Sequence, residues 1–321
     1  MPIGRPAYQT DGPTPGYHAS AMPAQGHRDV AGGLLTATAA ILFGTIVTIG
    51  RSEGIRDVPV SALLAIRFGA AAMLLALVLA ATRQPLRPAR GELWRLLLLG
   101  AMGYGVESAF FFLALGRGTA ATVTLLFYTY PVWVAVLSAA FGMGLPGLLV
   151  GGSLVAAVAG SGVVVASSGG LDITTLGIVF ALTSAVTISF FLIGLETLVR
   201  RTPPLVSSMW IALSASAGHT TFALVSGTSR FPAWPDEGLP IVAMGVLTAG
   251  AFSLLFLGVR RLGAVRASII SSLEPVAAAI LALAFLGELL RPGVLLGGLL
   301  ILGGAIAASL ARGVPEPKAG P

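Results

Sequence analysis

Apolar runs of about twenty residues follow one another along nearly the whole chain, and this recurrence decides what the chain can fold into. They lie at 32–50, 59–81, 93–115, 119–141, 146–168, 174–195, 203–226, 238–258, 264–286 and 292–312. A helix rises 1.5 Å per residue, so roughly 20 residues cross a hydrocarbon core of roughly 30 Å. The runs are continuous and do not alternate, and lipid admits only helices or closed barrels, so strands are not expected. The fold class is an all-α membrane protein of ten transmembrane helices. Only 10% of the 321 residues are charged, against about 25% in soluble domains. A soluble protein so short of charge could not cover its surface.

Residues 1–29 are rich in Pro, Gly, Ser, Ala and Gln without an apolar period, and read as a disordered cytoplasmic tail. Nothing before Met22 resembles structure, so Met22 is a candidate start of translation beside Met1. The first apolar run is too long for a signal h-region. Residues 314–321 form a second short tail.

The net charge of +6 is not a nucleic-acid signal, because the arginines sit in short loops between apolar runs. With the N-terminus inside, Arg5, Arg28, Arg83, Arg87, Arg90, Arg95, Arg200, Arg201, Arg260, Arg261, Arg266, Arg312 and Lys318 fall on the inner side. Arg51, Arg56, Arg117, Arg230 and Arg291 fall outside, and Arg67 lies within a span. This asymmetry favours both termini in the cytoplasm, and the expected location is the plasma membrane.

Sliding the sequence on itself by 144 positions aligns Gly33 with Gly177, Gly50 with Gly194, Pro59 with Pro203 and Pro131 with Pro275. The segment PVWVAVLSAAF from Pro131 shares six of eleven residues with PVAAAILALAF from Pro275. After that the register slips, and LPGLLVGG from Leu145 meets RPGVLLGG at an offset of 146. The expected copies are 30–168 and 169–313. Five spans is an odd number, so the second copy must enter the membrane upside down. Repeats of that kind place a binding site near the midplane, between halves that move against each other.

The motifs LEPVAAAILALAFLGELL from Leu273, RPGVLLGGLLILGG from Arg291, AIRFGAAAMLL from Ala65 and TYPVWVAVLSAAFG from Thr129 resemble the EamA type of the drug/metabolite transporter superfamily. The resemblance covers roughly residues 30–312. It implies ten helices, both termini inside, a central cavity, and export of amino acids, related metabolites or drugs. One departure is clear: Gly287 and Glu288 end the ninth run, whereas the fourth ends in GMGLPG without an acid.

Ionisable side chains inside spans cost about 2.5–3.5 kcal/mol on insertion scales, so each is a candidate for substrate or proton binding. Arg67 and Glu107 both lie roughly 12 Å from the same side, within reach of an ion pair. Alternatively, Glu107 titrates during transport and Arg67 snorkels to the headgroups. Glu274 lies near the midplane, and Pro275 frees the carbonyl of Ser271 for a ligand. Its symmetry mate is Tyr130. The alternative for Glu274 is a structural acid held by Ser271 or Ser272. Tyr104, Phe110, Tyr128, Tyr130 and Trp133 offer aromatic surface for an apolar or cationic substrate, or simply for packing. Tyr104, Glu107 and Phe111 share one face of a regular helix. Phe252, Ser253 and Phe256 are similar candidates on the eighth run. Pro131 and Pro275 are assigned to helix packing, with the small-residue stripes Gly147, Gly151, Gly152 and Gly293, Gly297, Gly298.

No cysteine is present, and His18, His27 and His219 are scattered, so neither metal nor other cofactor is expected. His219 has no nucleophile at a catalytic spacing, and no phosphate-binding loop precedes a helix, so neither an enzyme nor an ATP motor is expected. The expected partners are the lipid bilayer and a small-molecule substrate, without nucleic acid. Monomer and homodimer are equally compatible. The competing class is a membrane sensor or scaffold, which the short loops disfavour.

Overall fold

The structure is a computed structural model that describes residues 25–50, 55, 57–118, 120–168, 173–286 and 292–311. The tail 314–321 and the Gly287–Glu288 pair lie outside the described residues, as do residues 1–24 of the N-terminal tail. The described residues are all-α, with one isolated bridge between Gly118 and Ile173.

The helices are α1 (Gln25–Gly50), α2 (Val60–Ala81), α3 (Leu93–Leu98), α4 (Val106–Leu115), α5 (Ala120–Phe127), α6 (Tyr130–Ala140), α7 (Leu148–Ser168), α8 (Thr175–Leu198), α9 (Pro204–Val225), α10 (Gly238–Leu262), α11 (Ala264–Ser271), α12 (Glu274–Leu286) and α13 (Pro292–Leu310). A π-helical segment, Leu99–Gly105, joins α3 to α4. Taken as continuous rods, nine helical stretches among the described residues are long and apolar enough to cross a membrane. The helix α9 has 22 residues but lacks that hydropathy. Ser207, Ser208, Ser214, Ser216 and His219 account for the difference. The first helix begins at Gln25, earlier than the apolar run suggested, so residues 25–29 are helical rather than tail. A helix needs no apolar residues where it projects beyond the hydrocarbon.

Hydrophobic burial cannot drive helices together in lipid, so close packing of small residues must do so. Gly160 of α7 meets Gly297 of α13, and a Cβ on Gly160 would lie 2.8 Å from Ile301. Farther along, Gly293 faces Ser167, while a Cβ on Gly304 would lie 2.8 Å from the Ser153 carbonyl. As the number rises along α13 it falls along α7, so the two helices run antiparallel. The packing expected of Gly147 and Gly151 is not found: a Cβ on either meets nothing within 4 Å. The seam needs a small residue only where α13 crosses α7. Gly147 precedes that crossing, and Gly151 lies on the outward face.

The helices α2 and α9 are also antiparallel neighbours. Ser61 bonds Thr228 (2.8 Å), Ser216 donates to the Ala65 carbonyl (2.8 Å), and Trp210 Nε1 donates to the Leu86 carbonyl (2.8 Å).

At the arginine-rich end, Glu92 is 2% exposed and grips the turn after α8. Its carboxylate accepts from the amides of Arg200 (3.2 Å), Arg201 (3.0 Å) and Thr202 (2.8 Å), and from the Thr202 hydroxyl (2.5 Å). Arg260 holds the same turn by its carbonyls, donating to Thr202 (3.1 Å) and Arg200 (2.7 Å). Burial alone would raise the Glu92 pKa, but the Thr202 hydroxyl and the three amides outweigh it and hold the carboxyl below its ordinary range.

Two predictions follow from this packing. The folded Glu92 binds a proton less tightly than the unfolded one. Its stabilisation is therefore complete above the ordinary carboxylate range and is lost as pH falls below it. Glu92→Gln should lower the thermal unfolding midpoint at neutral pH by about 5 °C and weaken its acid dependence, measured in detergent by intrinsic fluorescence. For the seam, Gly160→Leu should lower the midpoint by at least about 5 °C, and Gly151→Leu should leave it within about 1 °C. Equal effects would contradict the assignment of the seam.

Candidate functional site

Two helices are broken at equivalent places. Residues 128–129 separate α5 from α6, and residues 272–273 separate α11 from α12. The two gaps are related by the same 144-position offset that aligns the sequence. Pro131 and Pro275 are the second residues of α6 and α12. A proline lacks an N–H, and its ring clashes with the carbonyl four residues back, at Phe127 and Ser271 respectively. The chain closes each gap with tight turns: the Thr129 amide donates to Leu126 (3.2 Å) and the Ser272 amide to Ile269 (3.2 Å). The two prolines therefore interrupt helices, beyond the packing role expected of them.

The break points lie against one another. The Tyr130 hydroxyl, from the first half, donates to the Ser268 carbonyl of the second (3.2 Å) and lies within hydrogen-bonding reach of Ser271. Ser189 of α8 donates to the Tyr130 carbonyl (3.0 Å). Glu274 is the first residue of α12, half-buried, with the Tyr128 hydroxyl in hydrogen-bonding reach of its carboxylate. Glu274 thus faces the protein interior, within the electrostatic field of Glu107 and Arg67.

Arg67 and Glu107 are both buried, but they do not form the direct ion pair that their depths allowed. Glu107 accepts from the hydroxyls of Ser108 (3.0 Å) and Ser184 (3.1 Å). Arg67 donates through Nε to Thr248 (2.8 Å), stands over the Phe68 ring at 5.1 Å, and reaches the Tyr104 hydroxyl. Hydroxyls from α8 and α10 satisfy both charges where they stand. Neither snorkelling nor pairing describes Arg67, which is held in the interior.

Tyr104 sits in the π-helical segment, so the regular-helix face shared with Glu107 and Phe111 does not apply. Its ring packs on Phe68, Phe191 and Phe252 at centroid distances of 5.6, 5.4 and 4.8 Å. Gly100, Gly103 and Gly105 permit this widened turn to press on its neighbours. A Cβ on Gly100 would lie 2.5 Å from the Ile211 carbonyl, and one on Gly103 would lie 3.0 Å from Phe191. Widened turns of this kind recur at functional sites. Phe252 and Phe256 are fully buried beside Tyr104, and Ser253 donates to its own helix at Ala249. Phe110 packs on Phe180 instead, and Trp133 is 37% exposed on the outer face.

Two carboxylates and one guanidinium thus share a low-dielectric interior. If all three are ionised, one negative charge is uncompensated, and a proton or an organic cation can neutralise it. Two further polar groups stand out: Glu92, which the sequence reading did not single out, and His219, expected to be a hydrogen-bonded residue near the outer end of its helix. His219 stacks on Phe68 at 5.9 Å, and its buried Nε2 has no hydrogen-bond partner.

One cavity of about 590 Å³ opens at the arginine-rich end, among Ser138, Glu196, Arg260, Gly263 and Arg266. The residues of the central cluster are not among those that line it. Tyr130 bridges the two breaks, and the rings around Tyr104 pack against one another at the centre.

No curated protein matches this sequence. Twenty-nine solved chains match in structure. One of them, a crystal structure, superposes with a TM-score of 0.71 at 23% identity, covering 86% of this chain and 96% of that one. At that identity the likeness shows the fold. The sequence pattern of the EamA-like transporter family matches twice, at residues 30–166 and 175–310. With both halves matched, the chain belongs to the EamA-like transporter family and is a multi-pass membrane protein.

Proposed function

We propose that this protein is a secondary transporter of the plasma membrane that exports small organic metabolites, amino acids or related compounds, in exchange for protons. Both termini are cytoplasmic, and α9 also spans the membrane, which brings the nine apolar spans to ten. The two halves, 30–168 and 169–313, lie upside down relative to one another. The antiparallel packing of repeat-equivalent helices, α2 with α9 and α7 with α13, supports that arrangement.

The observation that carries the functional reading is the meeting of two helix breaks at repeat-equivalent positions, with Glu274 at one and Tyr130 at the other. Broken helices at matching positions of two repeats mark the binding site of many carriers. Unwound backbone is tolerated at membrane depth only where protein or a water-filled cavity surrounds it. Glu274, with Tyr128 and Ser271, receives the substrate's cationic group or a proton, and Glu107 and Arg67 set the charge balance around it. The rings of Tyr104 and Phe252 offer an apolar wall. Alternating access follows when α6 and α11 separate at the Tyr130–Ser268 contact, opening the centre toward one side and then the other.

The test is flux of candidate amino acids into proteoliposomes, with and without a pH gradient. Glu274→Gln should reduce gradient-driven flux at least about tenfold, and Tyr128→Phe should reduce it less. Gel filtration of each variant separates this from misfolding. Wild-type flux in a correctly folded Glu274→Gln protein would remove Glu274 from the mechanism.

A further inference from the structure

The cavity at the arginine-rich end has a volume of about 590 Å³, within the roughly 300–1,000 Å³ usual for small-molecule sites. Its charge is one-sided. Arg200, Arg260, Arg261 and Arg266 line it, and Glu196 is the acid among the lining residues. Each of these groups can be followed to its partners. Glu196 accepts from the Ala264 amide at the start of α11 (2.7 Å), so its charge is turned toward a helix end rather than toward an arginine. Arg266 is buried and tied to the carbonyls of Leu262 and Ala311, with Asp29 at 3.5 Å. Arg260 donates to two carbonyls, which leaves its charge uncompensated. Among the described residues, the side chains of Arg200 and Arg261 have neither a hydrogen-bond nor an ion-pair partner, and both residues are exposed.

We infer that this vestibule is a binding site for an anionic group, a carboxylate or a phosphate, held by Arg200 and Arg261 within a positive field set by Arg260 and Arg266. Guanidinium groups present paired N–H donors that match both oxyanions. Orientation in the membrane requires only that arginines lie at this end. It does not require four of them around one concave space whose acid is engaged elsewhere. The apolar side chains of Leu262 and Val265 lie alongside, so the site suits an anion carrying a hydrocarbon part. An organic acid in solution and the headgroup of an anionic lipid both have that chemistry.

Purified protein in nanodiscs of phosphatidylcholine is titrated with radiolabelled benzoate, inorganic phosphate and choline. Retention of phosphatidylglycerol is measured separately by native mass spectrometry. The wild type should bind at least one of the three anionic probes more tightly than choline or phosphatidylcholine, and R200Q/R261Q should weaken that binding at least about tenfold. Binding of benzoate or phosphate assigns the site to a solute. Retention of phosphatidylglycerol alone assigns it to a lipid headgroup. R83Q/R87Q removes the same charge from the same end, away from the cavity. Equal weakening by R83Q/R87Q, or no preference for anions in the wild type, would overturn the assignment. The readout is binding, so it stands whether or not Glu274 serves transport.

Discussion

Inside a bilayer every backbone N–H and C=O must find a partner within the protein, because lipid offers none. The rest of this structure follows from how that demand is met at two places where it is hardest to meet. Pro131 and Pro275 deny their helices one amide each and push away a carbonyl. The resulting breaks survive because they are brought together in the interior, where tight turns, Tyr130, Ser189 and Ser271 surround the disturbed backbone. A break facing lipid would leave its carbonyls without partners. The two breaks must therefore be interior, and an interior pair of breaks concentrates polar groups at the centre of the molecule.

The same constraint explains the surrounding polar side chains. Glu107, Glu274 and Arg67 would each be costly in lipid. Here Ser108, Ser184, Thr248 and Tyr128 satisfy them, and the helices approach closely enough for this because glycines line their crossings. The Tyr130 hydroxyl and the aromatic rings then hold the centre together, and a cavity lies at the arginine-rich end. Packing, charge balance and access are thus set by one arrangement of short side chains.

The spans were legible because their signal, sustained hydropathy, is strong and local. The 144-position offset pairs Pro131 with Pro275 and Pro275 is expected to free a carbonyl, but both prolines are assigned to packing within continuous spans, so the breaks themselves are not foreseen. Other features depend on partners distant in sequence. The π-helical segment left only the closely spaced Gly100, Gly103 and Gly105 as a sign, and glycine triplets are common in helices that pack. Glu92 has its function from the Arg200–Thr202 turn, more than a hundred residues away. Arg67 and Glu107 are both buried, but periodicity does not reveal that Ser184 and Thr248 would take them separately. Gly147 and Gly151 have the spacing of a packing stripe, yet the face they line is open. Spacing locates a stripe on a helix, and only the neighbouring helix decides whether it is used.

The proposed transport mechanism requires the two halves to enter the membrane in opposite directions. The absence of cysteine from the sequence makes this directly measurable. Gln84 lies between the second and third spans, and Phe231, 96% exposed, lies between the corresponding helices of the second half. Single-cysteine variants Gln84→Cys and Phe231→Cys would be exposed to a membrane-impermeant maleimide in intact cells and after lysis. Labelling of the Phe231 position in intact cells, and of the Gln84 position only after lysis, is the predicted result. Labelling of both from the same side would contradict the opposed halves and the transport mechanism built on them.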